Sequence, residues 1–501
     1  MSFVSFKRQQ DQPALAALKA VPSGLWTDRV IERGILFLLI FTPFAFGAVQ
    51  DWSIAVMEIA AFLVLGAWLI EYRDMPSSAG SRPLLARRPA QALAACGAVF
   101  LGIAVLQIVP MPREMLVVFS PRTADIRQTF LDTGQTTWHA ISVTPRATLS
   151  GIVLFLSYAA VFFVVLQHYR TEERIRRLVR AIIIIGCSLA SIGVLTRVFG
   201  NGNVLWLFPV RNGGNAMGPF INRNHFAGYM EMVIPIAMSY YLYTAGKLNL
   251  ETGGEKASRL RQAFAFLDNR KFKSLSQGMA AVLLLTGGLF ISLSRGGILG
   301  YAISMGVFAW MVRSRRSLRK RAPFMVLLGG VVALAVIASG WSLFEARFEV
   351  AVREKVVRTN TWLDSLSLSR DYPIFGSGWG SFDRAFPAYQ SSQPDLRFEH
   401  AENEYVEVLA ESGWTGLIAL FGALASFSVI VLRRWRDRHD PFVVSLTIGG
   451  ISAFTAIAVH SILDFNMRVP ANALLMTVVL ALICAALFKM PSRRTKKAGQ
   501  G

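Results

Sequence analysis

At 501 residues, with 53% hydrophobic and only 17% charged side chains, the chain is too apolar for an ordinary soluble protein of its length. Its formal net charge of +21 would suit a nucleic-acid binder, but the excess lies in short segments beside apolar runs, where anionic membrane lipids are the expected partner and nucleic acid is not. Cys96, Cys187 and Cys484 all sit inside apolar runs and read as small buried hydrophobes without disulfide or metal roles. The six histidines are scattered without ligand spacing, so no metal site is expected.

In chain order, roughly twelve stretches approach the ~20 apolar residues needed to cross a hydrocarbon core. They centre on Leu38, Ala61, Leu101, Ser157, Cys187, Pro235, Leu285, Ser304, Val332, Ala423, Ile451 and Val479. No small-residue cleavage site follows the first, which therefore reads as a retained span. Basic clusters at Lys7 to Arg33, Arg73 to Arg88, Arg170 to Arg180, Lys247 to Lys273, Arg313 to Arg321, Arg433 to Arg438 and Arg493 to Lys497 fall at every second connection. Because positive segments stay cytoplasmic, both termini are expected inside, in a bacterial inner membrane, with the intervening segments in the periplasm. The expected fold class is all-α, a polytopic integral membrane protein of about twelve transmembrane helices with one large, partly helical periplasmic loop. Its divisions are a cytoplasmic N-terminal segment 1–32, a membrane domain 33–341, the periplasmic loop 342–412, the last spans 413–488 and a basic cytoplasmic tail 489–501.

The loop at 342–412 is the one long polar stretch outside the expected spans. Val350, Val357, Trp362, Leu366 and Leu368 are interspersed with charges, which predicts an interfacial amphipathic helix ending near Asp371, ahead of Pro373. In Phe375-Gly-Ser-Gly-Trp-Gly-Ser-Phe382 the glycines permit a tight turn with exposed backbone; a plain connector would look the same. The run Glu399-His-Ala-Glu-Asn-Glu-Tyr405 reads as a helix start on which His400, Asn403 and Glu404 share a face. Such a histidine can take a proton near neutral pH with carboxylates orienting its ring, while a solvated helix start is the alternative.

Two more polar insertions occur at outer ends of spans. Arg223 sits among Asn222, Asn224 and His225, and Arg295 lies between two spans joined by almost no loop. An arginine at such depth usually faces a cavity or a partner; snorkelling to the interface or a structural ion pair is the alternative. By topology Arg223, Arg295 and His400 all face outward, which suggests an anion site at the membrane surface. Helix capping is an equal account of the asparagines, and an ion pair to Glu354, Asp364 or Asp371 an account of Arg358. Asp464, Asn466 and Arg468 form a short polar outward turn between the last two spans; a solvated turn is the default reading, and lining the acceptor path is the alternative.

The runs Phe220-Ile-Asn-Arg-Asn-His-Phe-Ala-Gly228, Ser294-Arg-Gly-Gly297, Pro373-Ile-Phe-Gly-Ser-Gly-Trp-Gly-Ser-Phe382 and His400-Ala-Glu-Asn-Glu-Tyr405, in this order, resemble the O-antigen ligase family, which includes O-antigen and exopolysaccharide polymerases. The resemblance implies a GT-C-like membrane glycosyltransferase that takes a glycan from undecaprenyl pyrophosphate at the periplasmic face, without nucleotide sugar, metal or other cofactor. It implies His400 as general base and Arg223 and Arg295 as leaving-group clamps, with Asn222, Asn224, His225, Arg358, Glu402, Asn403 and Tyr405 as substrate-binding candidates. Glu402 is expected to position His400. Here Glu402 and then Asn403 follow His400 and Ala401, a longer spacing than many family members show. The acceptor would be a growing glycan, lipid A-core or a protein. A transporter or flippase of lipid-linked oligosaccharide is the alternative reading, against which stand the single asymmetric loop and the lack of an internal repeat.

Overall fold

The computed structural model describes residues 26–73, 88–131, 138–209, 216–249, 270–315, 318 and 348–490. Its helices in chain order are α1 (Trp26–Phe44), α2 (Asp51–Arg73), α3 (Arg88–Ile108), α4 (Arg113–Phe119), α5 (Pro121–Leu131), α6 (Pro145–His168), α7 (Glu172–Phe199) and α8 (Arg223–Asn249). There follow α9 (Arg270–Ile291), α10 (Arg295–Arg313), α11 (Phe348–Asp371), α12 (Phe382–Ala385), α13 (Glu404–Asp437), α14 (Pro441–His460) and α15 (Pro470–Lys489). The only sheet among the described residues is an antiparallel pair, β1 (Met111–Pro112) with β2 (Trp138–His139).

Among the described residues, 7 helices are long and apolar enough to cross a membrane by length and composition: α2, α6, α7, α10, α13, α14 and α15. The expected span at Val332 lies outside the described residues, and every other expected centre falls inside a helix. The remaining helices fall short of that measure for visible reasons. Asp28, Arg29, Glu32 and Arg33 occupy the first turns of α1, while Arg223, His225 and Glu231 interrupt α8. In α3 and α9 the described apolar parts are the shorter runs Ala95–Ile108 and Ser276–Ile291.

Local signals set the helix starts. Thr171 caps α7 by accepting from the Arg174 N–H, with Glu172 and Glu173 in the first turn, and Asp440 caps α14 ahead of Pro441. Helix α8 is the centre of the bundle, packed against α7, α9, α10, α14 and α15. Its residues from Phe226 to Met238 are buried throughout. Small residues allow these approaches: a Cβ on Gly186 of α7 would come 2.8 Å from Val233, and one on Gly449 of α14 would come 2.2 Å from the Ser239 hydroxyl.

In the loop, α11 ends at Asp371 as its sequence predicts, and Gly376, Gly378 and Gly380 all take positive φ. The turn they form is more than a connector. It packs against a kink in α13 at Gly413, whose φ of 64° interrupts the helix. Ser377 N–H donates to Ala410 O at 2.9 Å, Gly378 N–H to Glu411 O at 3.1 Å, and Trp414 N–H to Pro373 O at 2.8 Å. From α3, the buried Gln107 amide donates to Phe375 O and Glu411 O and accepts from Trp379 N–H. The kink thus has partners for the backbone groups it frees, each bond contributing about 1 kcal/mol.

A Cβ on Gly413 would lie 2.3 Å from Ile374 O, in a backbone conformation that L-residues resist. Gly413→Ala is therefore expected to cost about 1–3 kcal/mol of stability, read as a lowered thermal midpoint in detergent. An unchanged midpoint would mean that the kink is not under this constraint.

Candidate functional site

Two helices begin with an arginine: Arg223 opens α8 and Arg295 opens α10. The unsatisfied N–H groups at a helix start carry partial positive charge, so each arginine adds to a field already favourable to anions. Ser294 caps α10 by accepting from Gly297 N–H, and Asn222 accepts from Asn224 N–H at the start of α8. Both starts open on one cavity of about 370 Å³, lined by Arg223, Arg295, Asn222, Asn224, Arg358, Glu402 and residues of the turn after α14. A larger groove, of about 570 Å³, lies between α1 and α2 and is almost wholly apolar surface.

His400 stands beside this cavity in the turn before α13. Its Nδ1 lies 2.8 Å from Glu407 Oε1, and the other oxygen of Glu407 accepts from Ala401 N–H at 2.9 Å. The ring stacks on Phe465 with centroids 4.2 Å apart. Its side chain is 28% exposed while Glu407 is 1% exposed. With Nδ1–H held by the carboxylate, Nε2 carries the free lone pair. Burial works against a charged ring, but the charge of Glu407 and its hydrogen bond outweigh it and raise His400 above its ordinary 6.5.

Beneath His400, three carboxylates spaced along one face of α13 meet a single guanidinium. Arg468 Nε lies 3.1 Å from Glu404 Oε1 and 3.4 Å from Glu407 Oε1, and its Nη2 lies 2.7 Å from Glu411 Oε2. Glu411 also accepts from Phe382 N–H, which ties this cluster to the glycine turn.

Several expectations are corrected. His400 does not share a helical face with Asn403 and Glu404, because Asn403 is the N-cap of α13, its Oδ1 accepting from the Tyr405 and Val406 N–H groups. Positioning of His400 falls to Glu407, while Glu402 pairs with Arg358 at 3.1 Å. Glu402 adopts φ of 56°, a strained conformation for a residue with a side chain. Burial and the nearby Asp464 raise its carboxyl to about 7 against the pull of Arg358. Among the described side chains, Arg358 meets Glu402 and the carbonyl of Leu463, while Asp364 accepts from Ser391 and Asp371 from Tyr389; the side chain of Glu354 lies outside the described residues. His225 lies behind the cavity, 3.5 Å from Asp464, and Asn224 donates to the same carboxylate at 2.7 Å. Tyr405 is engaged elsewhere, its hydroxyl donating to Ala458 O and its ring stacked on Phe421.

The turn after α14 is the largest departure. Asp464 and Asn466 are fully buried and Arg468 nearly so. Burial opposes the charge of Asp464, but His225, His460 and Arg358 hold it below the usual carboxylate range. One signal in the sequence points to Arg468: Glu404, Glu407 and Glu411 recur at helical spacing, and a buried acidic stripe requires a cation.

One further group could hold a cation. Ligand atoms of Asp28, Glu32 and His168 lie within 4.8 Å of one another at the far end of α7 from the cavity. Arg174 already fills that space, its Nη2 2.7 Å from Asp28 Oδ1, so the group reads as an ion-pair network.

Arg468→Met would leave three carboxylates without their cation, and a loss of roughly 3–5 kcal/mol in unfolding free energy is expected. A loss well under about 1 kcal/mol in denaturant titration would show that the carboxylates are compensated by other means.

Residues 280–421 match the family model described as O-antigen ligase. An uncharacterized protein of Haemophilus influenzae is 23% identical over 172 residues, a match that covers 31% of this chain and 43% of that protein, less than half its length. The matched segment contains Arg295, Arg358, His400 and Glu407, side chains that define the cavity and its neighbouring histidine. Through this segment, which is less than a third of its length, the chain is similar to the O-antigen ligase family.

Proposed function

We propose that the protein transfers a glycan from undecaprenyl pyrophosphate to an acceptor hydroxyl, at the periplasmic face of a bacterial inner membrane. The observation that carries this reading is the opening of two arginine-led helix starts on one cavity beside a carboxylate-held histidine. In the reaction, the acceptor oxygen bonds to the anomeric carbon as the bond from that carbon to the pyrophosphate oxygen breaks. The electron pair leaves with the pyrophosphate, where Arg223 and Arg295 stabilise the growing negative charge. The hydroxyl proton passes to His400 Nε2, with Glu407 supporting the imidazolium that results. Attack from the face opposite the leaving group inverts the anomeric centre.

Asn222 and Asn224 serve this scheme by capping α8 and by fixing Asp464, and His225 supports Asp464 from behind. Arg358 and Glu402 line the cavity as a charge pair that an incoming anion can divide. Asn403 and Tyr405 act through the start of α13, one as its cap and the other as its tie to α14. Growing glycan, lipid A-core or protein hydroxyls would each suit the base as acceptor.

The direct test is mass analysis of lipid-linked glycan after purified protein in liposomes receives the donor, first alone and then with a candidate acceptor. Lengthening by whole repeats identifies a polymerase, and transfer only to added acceptor a ligase. Intact donor recovered on the opposite leaflet, with no covalent change under either condition, would replace this proposal with transport. His400→Ala is expected to abolish turnover while donor still binds, and Arg295→Ala to lower it about 10²- to 10³-fold.

The pH dependence has a definite sign. A base must be unprotonated, and His400 is raised above 6.5, so the rate should climb through neutral pH and fall on acidification. Glu407→Gln removes the charge that raises it and should move the acidic limb to lower pH while slowing turnover. An unmoved limb would remove His400 from the role of base.

A further inference from the structure

Below the arginines, on the floor of the same cavity, lies a second histidine–carboxylate pair that the scheme above does not use. His460, the last residue of α14, lines the cavity with Arg223, Arg295 and Arg358. Its Nδ1 lies 3.1 Å from Glu231 Oε1 on α8, and the two side chains are 1% and 0% exposed. Among the described residues, Nε2 has no hydrogen-bond partner, and Oε2 of Glu231 is likewise buried without one.

Helix α10 is built to admit this pair. A Cβ on Gly296 would lie 2.7 Å from His460 Nε2, and one on Gly300, a turn later, would lie 2.9 Å from Glu231 Oε2. As a tie between α8 and α14 the pair is a poor device, because desolvating two ionisable groups offsets most of their attraction and apolar side chains would hold the helices as well. A role toward a ligand accounts for what a tie does not: the unpartnered nitrogen, its place on the cavity floor and the glycines kept beside it.

We propose that His460 is a third ligand for the diphosphate of the donor, resting on the reading that this cavity takes that group. The doubly protonated ring donates from Nε2 to a phosphoryl oxygen while Glu231 holds Nδ1–H and aims the ring. The imidazolium and carboxylate together are neutral, so the pair adds a directed donor without adding to the repulsion among the arginines. This places the diphosphate at the inner end of the cavity and leaves the end beside His400 for the sugar and the acceptor.

The test is the dissociation constant of a short-chain polyprenyl diphosphate, and separately of inorganic pyrophosphate, for purified full-length protein in nanodiscs. The apolar double variant Glu231→Leu/His460→Leu removes the pair without leaving an orphaned charge, and is expected to keep its thermal midpoint while binding diphosphate about 10-fold more weakly. Arg295→Ala is the control for the underlying reading. If Arg295→Ala weakens binding and the double variant binds like the wild type, the His460 proposal is overturned and the proposed function stands. If Arg295→Ala and the double variant both bind like the wild type, the cavity is not a diphosphate site and both readings fall. Should the double variant not fold, the isosteric Glu231→Gln decides: weaker binding supports the proposal and unchanged binding rejects it. Loss of affinity for the prenyl ligand with no measurable binding of inorganic pyrophosphate identifies the lipid-linked form as the ligand recognised.

Discussion

The candidate site depends on the contact of Arg468 with Glu404, Glu407 and Glu411. Three carboxylates along one helical face repel one another, and out of water that repulsion is large. A single guanidinium with several donors meets all three, which fixes the first turns of α13 against the turn between α14 and α15. Glu407 is thereby held where one oxygen can take the His400 ring and the other the Ala401 N–H. The orientation of the partly buried histidine is inherited from a buried charge balance beside it.

A second balance governs the cavity. Arg223, Arg295 and Arg358 line it, and the acids at its wall, Glu402 and Asp464, have partners of their own. Glu402 faces Arg358, while Asp464 takes Asn224 and lies beside His225. Two helix starts add their partial positive charge to the same space. On the proposed function, positive charge concentrated this way favours a diphosphate over neutral glycan.

Much of this was legible from sequence, and the limits have physical causes. Long apolar runs mark helices through composition alone, and Arg223, Arg295 and His400 stand out because charge is expensive beside such runs. The glycines of the loop mark a turn, and at Gly376, Gly378 and Gly380, all at positive φ, a Cβ would meet Glu411, Ser142 and Ala147 respectively. Partners were harder to read. Glu407 and Arg468 lie far from one another in the chain, and only the docking of the last turn onto α13 brings them together. Asn403 caps α13, and from sequence a capping asparagine and a helical one look alike until the first N–H bonds are seen. Asp464 looked solvated since a short polar turn between spans normally is.

The turn that carries His460, Asp464 and Arg468 comes late in the chain, after residues 280–421 that match the family. During synthesis and membrane insertion, the acids of α13 therefore exist for a time without the guanidinium that balances them. The charge pattern makes completion of the last two helices a condition for the earlier ones to settle, so a chain cut short after the matched segment would keep its motifs yet lack its counter-ions. The unit that can fold around this site is larger than the unit that sequence similarity marks out.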